Sequence, residues 1–359
     1  MGHLEARLES DLKQIRNEIT NQAKQVQHAV DRAIHSLQTG DHKLAYATVL
    51  NDNPINRKMR EIDRLCHRFI AVHLPSAGHL RLISSIIRTN IALERIGDYA
   101  VTLCRESVRL TTPPAGPMLD RVEWISGESK MILEQACNAF NQSDAQAAKT
   151  VIQQAAKLEQ GLEPIYKRIL EEAPASSSVR DQLALFIILN QMKRVADQAK
   201  NICEDTVFAV TGETKSPKVY NILFLDETNS LLGKLAQAIG KMNFPNSGSY
   251  TSAGKTPAKT VSQGLIDFLK GRGATCEDVS THAISDITFD ELVNQHVIVS
   301  LDKPVSAYLK EIPFHTSVLE WEIETVPSDD DLAAIETLYR ELAVKISDLM
   351  TLLRGQGAS

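Results

Sequence analysis

Glu94 and Asp98 stand four residues apart in ALERIGDYA, a spacing that puts both carboxylates on one face of a helix. Gly97, between them, permits a neighbouring helix to come close. Upstream, Glu61 and Asp63 sit in REIDRLC; further on, Glu159 and Glu163 are again four apart, and Asp197 lies in MKRVADQAK. Carboxylates converging from several helices are the oxygen donors a hard cation takes, and helical bundles build metal sites in this way. The alternative is a solvated face with ordinary charge patterning. Cys66, Cys104, Cys137, Cys203 and Cys276 are scattered, odd in number and without a CxxC pair. That pattern argues against a disulfide framework or a thiolate zinc site.

The acidic residues need long helices to hold them. Apolar residues recur at helical spacing over residues 4–37, with a break at Thr39-Gly40-Asp41. A second helix is expected over 42–73, tolerating or kinking at Pro54, and a third over 77–110, stopped by Thr112-Pro113-Pro114. The pattern then repeats as helices over 118–142, 145–172 and 179–211. Three helices followed by three of similar length point to an internal duplication. Short connections imply antiparallel neighbours, each burying one apolar stripe. Asp98 and Asp197 fall at matching positions in the third helix of each unit.

Near residue 215 the texture changes. Gly212 and Pro217 mark a joint, and glycine becomes more frequent afterwards. VYNILFL (219–225), HVIVSL (296–301) and VLEWEI (318–323) read as short buried strands. Helical patterns lie at 231–243, 257–271 and 328–354. Strands separated by helices predict a parallel sheet covered on both faces.

The chain has 359 residues, 43% hydrophobic and 23% charged, with a net charge of −6. This is room for more than one domain, and the acidic balance argues against nucleic-acid binding. No run approaches the roughly 20 apolar residues of a membrane span. The opening MGHLEARLESDLKQIRNEI alternates charges without an apolar core, so no signal peptide is expected. The expected compartment is the cytoplasm, with no membrane insertion.

The stretch from Asn56 to Ala100 resembles the first repeat of the PhoU family. Those proteins carry an N-x(6)-ID element, a P-x-A-x-D-L-R turn and a closing L-E-R-I-G-D-x-A. Asn56, Ile62, Asp63, Pro75, Ala77, Leu80, Arg81 and the run Leu93 to Asp98 match, with Ala100. A second repeat keeps Arg194, Asp197, Ala199, Asn201, Ile202, Glu204 and Thr211-Gly212-Glu213. The resemblance spans roughly residues 4–214. It implies two tandem three-helix bundles and a regulator of phosphate uptake and phosphate-starvation signalling. The implied partners are the ATPase of a phosphate ABC transporter and a sensor histidine kinase. Some members bind iron or other metals through E/D-x-x-x-D motifs. Carried over, this makes Asp63, Glu94 and Asp98 the first ligand candidates, with Glu61, Glu159, Glu163 and Asp197 secondary. The implied metals are iron, manganese, magnesium or zinc. Three positions depart from the pattern. Met59 stands four before Asp63, where a carboxylate completes a pair. Lys193 stands where Glu precedes Asp197, and His79 replaces the Asp of the turn.

Residues 219–354 are similar to low-molecular-weight tyrosine phosphatases and the related arsenate reductases. The similarity is carried by NILFLDETNSLLGKLAQAIG, with Asn229 and Ser230 in the phosphate loop. It continues through TSAGKTPAK, DVSTHAIS and WEIET. Those enzymes attack with a low-pKa thiolate and grip the anion with arginine. Here Asp226 occupies the nucleophile position and Leu232 the arginine position, and Thr325-Val326-Pro327 stands near the place of the acid Asp-Pro. Cys276 lies well past the loop and reads as a structural cysteine. The resemblance therefore implies a pseudoenzyme.

The sequence thus predicts a PhoU-like bundle over 1–112, a second over 113–214, and an α/β parallel-sheet domain over 219–355. The expected protein is a non-enzymatic regulator, a homodimer in view of its long apolar helices. Its rivals are a metal-dependent or atypical phosphatase or arsenate reductase, and a scaffold without a ligand.

Overall fold

The computed structural model describes residues 3–171, 178–215, 217–273, 280–323, 327 and 331–359. The side chains of residues 159–160 and 162–171 lie outside the described residues, as do Cys276 and Thr325-Val326. The chain divides into two compact units, Met1–Lys215 and Ser216–Ser359.

The first unit is all helix: α1 (His3–Thr39), α2 (His42–Leu50), α3 (Asp52–His73), α4 (Ala77–Arg109), α5 (Pro117–Gln142), α6 (Ala145–Glu171) and α7 (Val179–Thr211). Local signals set the ends. Asp41 caps α2 by accepting from the Leu44 N–H at 3.0 Å. Pro117 opens α5, where a missing N–H costs nothing. Gly212, at φ 77, closes α7 with its N–H on Phe208 O at 2.9 Å.

The helix expected over 42–73 is two helices broken at Asn51. The proline ring of Pro54 clashes with the carbonyl four residues back, that of Leu50, so a continuous helix cannot pass. Restarting at Asp52 places Pro54 in a first turn, where its missing N–H has no intrahelical duty.

One apolar core runs through all seven helices; Ile15, Ile62, Ile83, Ile96, Ile125, Ile188 and Ile202 are all essentially inaccessible. The two repeats meet along α4 and α7. Arg88 reaches Asp205 at 2.5 Å, and the Arg194 guanidinium lies over the Tyr99 ring at 4.6 Å. Burial pushes the Asp205 carboxyl up to about 6 against the pull of Arg88.

The second unit holds β1 (Tyr220–Asp226), α8 (Leu232–Asn243), β2 (Gly248–Gly254), α9 (Gln263–Gly271), α10 (Phe289–Val293), β3 (Val297–Ser300), β4 (Ser317–Glu320) and α11 (Leu332–Arg354). The four strands are parallel in the order β2-β1-β3-β4. Ile222 and Phe224 pack on the face carrying residues of α8, α9 and α11. Leu223 and Leu225 pack on the other, with Leu292 of α10 and Val305. The sheet is covered on both faces, as the alternating pattern predicts.

The order places the topological switch between β1 and β3, where α/β sheets open a crevice at their carboxyl ends. The loops after Asp226 and after Ser300 line it.

Candidate functional site

The acidic pair on α4 faces the start of α3. The two helices run antiparallel in a register fixed by Asn90, whose Nδ2 donates to Met59 O at 2.8 Å. About two turns further along α4, Gly97 meets Asp52 and Ile55: a Cβ there would lie 3.3 Å from Asp52 Oδ1. The absent side chain lets the α3 start approach. Asn56 Nδ2 donates to Asp52 Oδ2 at 2.7 Å. Asp52 and Asn56, four apart, answer Glu94 and Asp98, four apart.

The electrostatics of this group are unfavourable as it stands. Burial, then the like charge of Asp98, push the Asp52 carboxyl above its ordinary value; Asn56 and Arg105 pull the other way. Burial, then Asp98 and Asp52, push up Glu94. Asp52 Oδ1 and Asn56 Oδ1 are buried and meet no donor. Orphaned oxygens beside repelling carboxylates are a donor set that suits a hard cation. Among the described residues, however, no three His, Cys, Asp or Glu side chains stand ready-arranged around a common point.

The other sequence candidates are placed elsewhere. Asp63 lies eleven residues beyond Asp52, about 16 Å along the helix axis at the usual rise per residue. Its carboxylate stands 3.4 Å from the His67 ring and is 42% exposed. Glu61 accepts from Lys58 at 2.8 Å, and Lys58 also holds Glu18 at 2.9 Å. The α3 residue facing Glu94 and Asp98 is thus Asp52, an acid that the sequence reading passed over. The signal that finds it, four-residue spacing to Asn56, is the one that singles out Glu94 and Asp98. In the second repeat, Lys193 Nζ lies 3.4 Å from Asp197 Oδ2. A cation of the chain itself sits where the first repeat has Glu94. The side chains of Glu159 and Glu163 lie outside the described residues.

Thiolate chemistry is remote from the helices: burial pushes Cys66, Cys137 and Cys203 up to about 12 and Cys104 to about 11.

In the second unit, Asp226 ends β1 and is 2% exposed. The loop leads through Asn229, Ser230 and Leu231 into α8, whose first residue, Leu232, is buried. Asn229 takes φ 49, and its Oδ1 accepts from the His282 N–H at 2.9 Å. From the end of β3, Asp302 faces the same crevice; its Oδ2 accepts from Glu227 N–H at 3.2 Å, and the Tyr308 hydroxyl donates to its Oδ1. Lys303 reaches Glu227 at 2.6 Å. Asp226 and Leu232 themselves bring neither a thiol nor a guanidinium to this loop.

Comparison with known proteins bears on the helical unit first. The family model described as "PhoU domain" matches residues 19–107 and 122–206. The phosphate-specific transport system accessory protein PhoU homolog of Pseudomonas aeruginosa is 30% identical over 217 residues, covering 58% of this chain and 88% of that one. The accessory protein PhoU of Escherichia coli is 26% identical over 212 residues, 59% of this chain and 88% of its own length. The crystal structure of PhoU from Pseudomonas aeruginosa superposes with a TM-score of 0.54 at 28% identity, over 57% of this chain and 99% of that one. An arsenate reductase in its oxidized state covers 38% of this chain at a TM-score of 0.33 and 17% identity, too low to say anything about chemistry. Two matched repeats, a relative followed over nearly its whole length and a shared helical architecture agree: the chain belongs to the PhoU family.

Proposed function

We propose that this protein regulates phosphate uptake and phosphate-starvation signalling from the cytoplasm, by docking its helical unit to a phosphate transporter's ATPase or to a sensor histidine kinase. The observation that carries the reading is the pair of PhoU repeats within residues 19–206. Relatives named as accessory proteins of phosphate-specific transport support it. No helix among the described residues is long and apolar enough to cross a membrane.

The first repeat, in this reading, holds a hard cation between Asp52, Asn56, Glu94 and Asp98. The all-oxygen set favours magnesium, manganese or iron over zinc, which prefers nitrogen and sulfur. Such a cation supplies the positive charge that three carboxylates lack. The chain's own residues do the rest: Gly97 keeps the helices close, and Asn56 orients Asp52. Lys193 closes the equivalent place in the second repeat. The α/β unit modulates docking without catalysis, since Asp226 and Leu232 stand where a phosphatase needs a thiolate and a guanidinium.

In cells lacking the gene, a phosphate-starvation promoter is expected to fire in phosphate-rich medium and to fall silent when the full chain is restored. Affinity capture from phosphate-rich cells is expected to retain the ATPase or the kinase. A promoter that follows phosphate normally without the protein, with a captured partner set indifferent to supply, would favour a scaffold.

A further inference from the structure

α3 carries its arginines in one row. Arg57, Arg60, Arg64 and Arg68 are exposed, and at helical geometry they fall within about 80° of arc. The row is about 16 Å long at the usual rise per residue. On the opposite side Ile55, Ile62, Cys66 and Phe69 are buried, so the packing that seats α3 in the bundle also turns the arginines outward.

The acids beside this row are engaged elsewhere. Glu61 is held by Lys58 at 2.8 Å, and Asp63 lies 3.4 Å from His67. Asp11 lies 2.8 Å from His73 and only 3.8 Å from Arg68. Arg57, Arg60 and Arg64 make no ion pair or hydrogen bond among the described residues. In a chain of net charge −6 this is a local excess of positive charge, and like charges one turn apart repel until an outside anion meets them.

The same helix ends in an apolar knob. Val72 is half-exposed, and Leu74, just past the last turn, is 87% exposed. Leu74 caps α3 at φ 44, a left-handed conformation that glycine takes at little cost and leucine does not. Leu80, in the first turn of α4, is exposed as well.

We propose that the outer face of α3, with the turn from Val72 to Leu80, is a docking surface for an anionic lipid bilayer. The arginines take headgroup phosphates, and the apolar residues of the turn enter the headgroup–acyl boundary. The planar guanidinium fork matches a phosphate with two parallel hydrogen bonds. Between Arg57 and Ala71 no large apolar side chain is exposed, so the row lacks the desolvated anchor on which a compact protein interface is built. A basic face with exposed apolar residues at one end is the pattern of a helix that lies on a charged bilayer without crossing it. The inference goes beyond the regulatory reading and requires neither a transporter nor a kinase.

The test is co-sedimentation of the full-length protein, at low salt, with vesicles of phosphatidylcholine alone and of phosphatidylcholine with an equal share of phosphatidylglycerol. Wild type is expected to sediment with the anionic vesicles only, and to be released as added salt screens the charges. Arg60→Ser combined with Arg64→Ser is expected to lower the partition about fivefold for each arginine removed. Leu74→Gly suits the left-handed backbone and keeps the fold; it is expected to lower the partition roughly tenfold, the worth of a leucine side chain leaving water. Lys270→Ser, at an exposed lysine of α9, is expected to leave it unchanged. Circular dichroism checks the folding of each variant. Equal partition onto both vesicles, partition onto neither, or a loss as large with Lys270→Ser as with the arginine pair would overturn the proposal. Retention of wild type on polyglutamate beads but not on vesicles would give the face to an acidic protein and overturn it too.

Discussion

Asp52 at the start of α3 faces Glu94 and Asp98 on α4, and the like charge of Asp98 acts on both of the other carboxyls. The Asp52 and Glu94 carboxyls are raised above their ordinary values, first by burial and then by neighbouring carboxylates. A raised value means the folded chain holds these protons more tightly than the unfolded one. Their stabilising share is present below the ordinary carboxylate range and is lost as pH rises through the raised values. Asp98→Asn removes the like charge acting on both residues, while Asp98 itself is exposed and buries nothing. In metal-free buffer at neutral pH the variant is expected to melt about 2–4 °C above wild type, the shift of a change near 1 kcal/mol in a unit this long. Manganese or magnesium is expected to raise the wild-type melting point and to reverse the order. Calorimetry at pH 4 and pH 7, with and without the cation, decides: equal melting points at both pH values, unmoved by cation, would remove the site. Glu94 and Asp98 are legible in the sequence because four-residue spacing needs no tertiary knowledge. Asp52 and Asn56 have that spacing too, but Pro54 between them reads as a kink, and one member is an amide. Asp63 drew attention as an acid near another acid; only the α3–α4 register shows that it faces elsewhere.

At the level of elements, punctuation residues set most boundaries. Gly40, Pro75 and Gly212 lie at helix ends, and the ends expected from them fall within a residue or two of those observed. Strands β1 and β3 announce themselves through unbroken apolar runs. β2, GSYTSAG, does not, because glycine and serine have little strand preference of their own. It becomes a strand through seven paired residues on β1 and through Tyr250, whose ring stacks on Phe224 at 6.5 Å with 10° between planes. Tyr250 fits only because α8 offers a glycine: a Cβ on Gly240 would lie 2.5 Å from its ring. That contact is a tertiary fact that no local pattern encodes. Gly240→Ala sets a helix-propensity gain of up to about 1 kcal/mol against overpacking of about 1–3 kcal/mol. The ring is 2% exposed and bracketed by Gly248 as well as Gly240, so it has no room to yield and overpacking wins. The variant is expected to lose about 1–2 kcal/mol in urea denaturation followed by Trp321 fluorescence, a ring 6.0 Å from Phe224. Unchanged or increased stability would show that α8 shifts to accommodate the methyl group.

Taken whole, the molecule has hydrophobic cores that share no residue. One is built from Leu12 to Val207; the two on the faces of the sheet are built from residues 222–350. Cooperative unfolding spreads through packed side chains, so cores without common members are expected to melt as separate units. The two tryptophans report on them individually, Trp124 on α5 and Trp321 after β4. Single-tryptophan variants, made by replacing either with Phe, are expected to give two denaturation curves with different midpoints. Gly240→Ala should move only the Trp321 curve, and Asp98→Asn only the Trp124 curve. Manganese should act on the Trp124 curve alone, because its proposed ligands all lie in the first unit. Residues 1–215 expressed by themselves are then expected to retain the Trp124 midpoint. If the two curves coincide, and each substitution moves both, the units depend on one another for folding. Docking by the helical repeats would then have to be read on the full chain, with the α/β unit as part of the scaffold that holds them in shape.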